Sequence, residues 1–115
     1  MEDRELWFYD IGPDPKDVDE QDFPVQRIYC LKWDAFQEDD WKKLEEIGAV
    51  LPGYVGTIEG ETFWFGTDVE TETALSACSE PSGWHVFGSL RYSDWVSWDA
   101  QFRRLAVDLP WRTVR

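Results

Sequence analysis

The sequence is poor in the residues from which small chemical sites are built. It holds one histidine, His85, and two cysteines, Cys30 and Cys78. The cysteines show no C-x-x-C spacing, and a zinc centre would have to borrow a carboxylate to complete four ligands, so no metal is expected. A glycine-rich phosphate loop and a G-x-S-x-G nucleophile turn are both missing. The run Asp17-Val18-Asp19-Glu20-Gln21-Asp22 alternates acids in the manner of a calcium loop. It lacks the glycine and the closing glutamate that make such a loop fold around the ion. No cofactor is expected either.

Long apolar runs are equally scarce. No stretch reaches the roughly eighteen residues that a spanning helix needs, and the opening MEDRELWFYD has no basic segment followed by an apolar one, as a secretory leader would. A reducing, cytoplasmic compartment is the expectation, with both cysteines as free thiols. Positive charge is in deficit: 11 basic residues face 24 acidic ones, a net charge of −13. Such a chain repels nucleic acid and anionic membrane, and attracts basic surfaces. The imbalance is steepest in residues 1–50, with 15 acids against 6 bases.

What the chain does have is aromatic surface. Eight tryptophans, four tyrosines and seven phenylalanines bury large areas per side chain, which is enough to core one domain over residues 1–115. Residues 12–24 read as an acidic, flexible loop within it, opened by Gly12-Pro13-Asp14-Pro15.

The clearest pattern runs from Glu72 to Pro110. Glu80-Pro81-Ser82-Gly83 is a turn between two alternating segments. An even loop sets Ser79 against Trp84, Ala77 against Val86 and Leu75 against Gly88 on an apolar face. The mixed face then pairs Ala74 with Ser89, Ser76 with Phe87, Cys78 with His85 and Glu72 with Arg91. A three-residue loop would split the apolar residues between faces, so the even register is preferred. A helix follows from Ser93, its N-cap, with Trp95, Trp98, Phe102, Leu105 and Leu109 as one stripe and Pro110 as the stop.

Earlier elements are a short strand within Glu5–Tyr9, a strand over Val25–Trp33, and a helix over Gln37–Ile47. In that helix Trp41, Leu44 and Ile47 should face inwards, Gly48 should end it, and Glu38–Lys42 and Asp39–Lys43 should pair. A hairpin Tyr54–Ile58 and Glu61–Phe65 turns at Glu59-Gly60. The order predicts an α+β fold: a single antiparallel sheet of five to six strands with two helices packed on one face.

Function is only weakly marked. The acids of the first helix and the Glu72–Arg91 pair have structural explanations. The acids Asp14, Asp17, Asp19, Glu20 and Asp22, flanked by Trp7, Tyr9 and Phe23, do not. They are the candidate partner-binding site, with charge steering a basic protein and aromatics anchoring it. The mixed face of Ser76, Cys78, His85 and Phe87, with Ser89 beside it, is a secondary surface. The expected function is therefore a non-enzymatic acidic domain that masks a basic partner, such as a toxin or nuclease, as an immunity protein or enzyme inhibitor does. A nucleic-acid mimic is the alternative within binding. A small thiol enzyme using Cys78 and His85 is the alternative outside it; no third group to orient the pair is visible in the sequence.

Overall fold

The computed structural model describes residues 8–11, 21–69 and 73–112. Among them, β1 (Phe8–Asp10), β2 (Phe23–Tyr29), β3 (Tyr54–Ile58), β4 (Glu61–Trp64), β5 (Ala74–Glu80) and β6 (Gly83–Leu90) form one six-stranded antiparallel sheet. Helix α1 (Glu38–Val50) follows β2, and α2 (Tyr92–Leu105) follows β6. Strand order is β1-β2-β6-β5-β4-β3, so the last strand of the meander inserts beside β2. This is the expected α+β architecture. Leu44 and Ile47 of α1 and Trp95, Trp98 and Phe102 of α2 share one core with one face of the sheet.

The β5–β6 hairpin adopts the even register, with Ser79 opposite Trp84, Cys78 opposite His85 and Glu80 opposite Gly83. Residue Gly83 has φ +149°, and a side chain there would overlap the Tyr29 carbonyl on β2, so the close approach of β2 and β6 demands glycine. The β3–β4 hairpin turns at Glu59 and Gly60, both with positive φ as a tight two-residue turn requires. The expected Glu72–Arg91 pair falls on Glu72, outside the described residues.

The core is an aromatic stack. Trp98 lies parallel to Trp84 at 6.4 Å and edge-on to Trp64 at 5.0 Å, and Trp84 stacks on Phe102 at 4.9 Å. Trp64, Trp98 and Phe102 are fully buried. The Trp64 indole donates to the Gly48 carbonyl at 2.9 Å and so fixes α1 against the sheet.

Several boundaries differ from the sequence reading. The β2 strand begins at Phe23, so the acidic segment ends at Asp22, and it stops at Tyr29 instead of Trp33. The C-terminal segment takes over its pairing: Lys32 N–H donates to the Pro110 carbonyl and Arg112 N–H to that of Cys30. Gly48 lies inside α1, which runs on to Val50. Pro52 is the actual stop, because it disfavours helical dihedrals at Leu51, which is extended. Helix α2 starts one residue before Ser93, with Arg91 at the cap, and ends at Leu105. Leu109 still reaches the core, from a turn beyond the helix.

Trp41 is the clearest departure. Expected to face inwards, it is 43% exposed and stacks on Trp33 at 5.0 Å and 9°, with Phe36 edge-on to both. The Trp33 indole donates to the Glu80 carbonyl at 2.6 Å. Lys43 lies 3.9 Å from Asp108, which links α1 to the turn after α2.

Candidate functional site

The acidic segment expected to bind a partner lies mostly outside the described residues: Trp7, Asp14, Asp17, Asp19 and Glu20 are not among them. Its remaining members do not come together. Asp22 is exposed at the mouth of β2. Phe23 is buried, packed edge-on to Tyr92 at 4.9 Å, and so has little surface to offer. Tyr9 is exposed, but it pairs with Ile28, five positions along β2 from Phe23 and on the opposite face. At strand rise that is a separation of about 17 Å.

Two other arrangements emerge. The first is a groove of about 690 Å³ between α1 and strands β3 to β6. Its helix side presents Glu38, Trp41, Lys42, Glu45 and Glu46, and its sheet side Tyr54, Thr57, Thr62, Ser79 and Trp84. The helical spacing of Trp41 and Glu45, four residues apart, places both on one face. Three carboxylates against one lysine make the groove acidic. The flat Trp41 ring, backed by Trp33, gives a cation an aromatic surface. Sequence reasoning assigned Trp41 to the core because apolar spacing does not say which stripe a sheet will cover.

The second arrangement sits on the sheet face opposite the helices. Cys78 and His85 are cross-strand neighbours, as the register implied. Glu80, two residues along β5 and therefore on the same face, joins them: the Cys78 thiol donates to Glu80 Oε2 at 3.3 Å. One donor atom from each of the three residues lies within 4.8 Å of the other two. The period of two could have revealed Glu80, but its place beside a turn made it read as loop chemistry. Phe87 packs on the imidazole at 5.1 Å. Ser76 is wholly buried, so this member of the predicted secondary surface cannot meet a partner. Burial, then the hydrogen bond and charge of Glu80, then the charge of Glu61, push the Cys78 thiol up to about 11. At neutral pH it stays protonated, which is the reverse of what an activated nucleophile needs.

A third charged cluster is structural. Arg27 holds Asp10 through two bonds of 2.7 and 2.9 Å and Asp99 through one of 2.7 Å. Tyr29 donates to Asp99 at 2.6 Å, and Arg103 reaches the other Asp99 oxygen at 3.0 Å. Burial acts to lower the Arg27 pKa, but the Asp10 hydrogen bond and the neighbouring acidic groups hold it above its ordinary value. Burial and the Asp99 carboxylate push the Tyr29 hydroxyl well up. These residues tie β1 and α2 to β2, with the guanidinium 4.2 Å from the Phe8 ring centre.

No protein-family model matches the chain, and neither a curated protein nor a solved structure matches it.

Proposed function

We propose that the protein is a non-enzymatic acidic binding domain that masks a basic partner protein, as immunity proteins and enzyme inhibitors do, and that its groove beside α1 receives an arginine or lysine of that partner. The observation that carries this reading is the pairing of the exposed Trp41 ring with Glu38, Glu45 and Glu46 in one concave surface. A guanidinium can stack on indole while its edge bonds carboxylate, so one side chain uses both features. The net charge of −13 adds long-range attraction and speeds encounter with a basic surface. The two free thiols, Cys30 and Cys78, suit a reducing compartment, and the cytoplasm is the proposed location. No helix among the described residues is long and apolar enough to cross a membrane.

The test is retention of basic proteins on the immobilised chain at low and high salt. A specific basic protein should be held at low ionic strength and released by salt, because screening shortens the reach of surface charge to about 3 Å at 1 M. Trp41→Ala should weaken the contact by at least about 2 kcal/mol, roughly thirtyfold, as for an aromatic anchor. Asp22→Lys, remote from the groove, should leave it nearly unchanged. If no basic protein is retained, or Trp41→Ala binds as tightly as the parent, the reading fails.

A further inference from the structure

We propose that Cys78, Glu80 and His85 form a binding site for one Zn²⁺ ion, with the three side chains as ligands and a water in the fourth position. The site lies on the outer face of the β5–β6 hairpin. The donor set is one thiol, one imidazole and one carboxylate, the mixture that suits a borderline-soft divalent cation.

Geometry supports the assignment. A tetrahedral zinc with a sulfur at about 2.3 Å and an oxygen at about 2.1 Å separates those two ligands by about 3.6 Å. The Cys78 sulfur and the Glu80 oxygen already stand 3.3 Å apart. All three donor atoms fall within 4.8 Å, so the remaining closure is a rotamer adjustment and not a backbone movement. The backbone is fixed by the hairpin: Cys78 faces His85 directly, and Glu80 faces Gly83 one side-chain period further. The buried Nε2 of His85 has no hydrogen-bond partner among the described residues. Phe87 against the ring limits its alternatives.

The charges balance as well. On binding, the Cys78 S–H bond breaks, its proton passes to solvent and a zinc–sulfur bond forms, while an imidazole nitrogen of His85 and a carboxylate oxygen of Glu80 give lone pairs. One thiolate and one carboxylate neutralise the ion. Zinc therefore competes with the thiol proton for the Cys78 sulfur. The Glu61 carboxylate, already felt by Cys78 from the neighbouring strand, favours a cation at the same place. With three protein ligands and an open fourth position, the site has the ligand count of zinc centres that exchange water.

The experiment is titration of the full chain with Co²⁺ and then Zn²⁺. One Co²⁺ per chain should give a thiolate-to-metal charge-transfer band and the intense visible bands of tetrahedral cobalt, both removed by Zn²⁺. Cys78→Ser and His85→Gln should each weaken Zn²⁺ binding by about a hundredfold or more, and Cys30→Ser should leave it intact. His85 is the only histidine, so its ring resonances report coordination in the unaltered chain. They should shift with stoichiometric Zn²⁺. Far-ultraviolet circular dichroism checks that each variant folds. An absent charge-transfer band, a band that survives in Cys78→Ser, or unmoved His85 resonances overturn the assignment. Binding through surface carboxylates alone would produce that last result and counts against it.

Discussion

Asp99 joins α2 to β2. It is buried on α2, accepts from Arg27 and Tyr29 on β2, and takes a further bond from Arg103 on its own helix. Removing it leaves a buried guanidinium with only Asp10 and a buried hydroxyl with no partner. Asp99→Ala should therefore cost about 3–5 kcal/mol in urea unfolding, whereas Asp108→Ala, whose contact with Lys43 is exposed, should change stability by less than about 0.5 kcal/mol. Cys78 gives a second residue-level expectation. With its thiol pushed up to about 11, little thiolate is present at pH 8, so native-state alkylation should be slow. Glu80→Gln removes the larger of the two carboxylate influences and should raise the alkylation rate severalfold, with Cys30 protected by burial throughout. A fast, unchanged rate in the parent would contradict the raised thiol. Asp99's role could not be read from spacing alone. Asp99 sits inside a helix whose apolar stripe draws the eye elsewhere, and Arg27 occupies an apolar strand face whose acidic partners come from β1 and α2.

At the level of elements, the long-range consequences of single positions become visible. Glycine at position 48 signalled a helix end, yet α1 continues through it to Val50. Packing leaves room for a side chain there: a β-carbon would lie 3.5 Å from the Trp64 ring, an ordinary contact. Since glycine in a helix interior costs about 1 kcal/mol relative to alanine, Gly48→Ala should raise stability by about 0.5–1 kcal/mol. Thermal unfolding would check it, with a rise of a few degrees in the midpoint expected, and a lower midpoint would mean that Trp64 cannot accommodate the methyl group. The hairpins were the most legible elements. Alternation of apolar and mixed faces fixed the β5–β6 register to the residue, because a slip of one would turn every side chain to the wrong face. The ends of β2 and α2 were less so. Their limits depend on the C-terminal segment, where Arg112 N–H bonds Cys30 and the Trp111 indole bonds the Ala106 carbonyl at 2.8 Å.

For the molecule as a whole, two groups with raised pKa values set a definite pH response. Tyr29 and Cys78 both have folded pKa values raised above their ordinary ones, near 10 and 9. In each case the folded chain keeps a proton that the unfolded chain gives up. The stability so contributed is complete below the ordinary pKa and is lost as pH rises through the folded one. Urea midpoints should thus decline progressively above pH 9, and the double variant Tyr29→Phe, Cys78→Ser should show a shallower decline from its own starting value. A parallel decline in the two proteins would assign the effect to general repulsion in a chain already at −13.

The order of elements, the hairpin registers, the aromatic core and the acidic character are properties of the sequence by itself. Each is carried by local periodicity, turn chemistry or composition, which act over a few residues or need no geometry at all. Tertiary structure alone decided which charges meet across the sheet, that Trp41 faces a groove instead of the core, and that Glu80 completes a group with Cys78 and His85. The reason is that strand order and helix placement determine which faces are covered. Spacing along the chain defines those faces without saying what will lie against them.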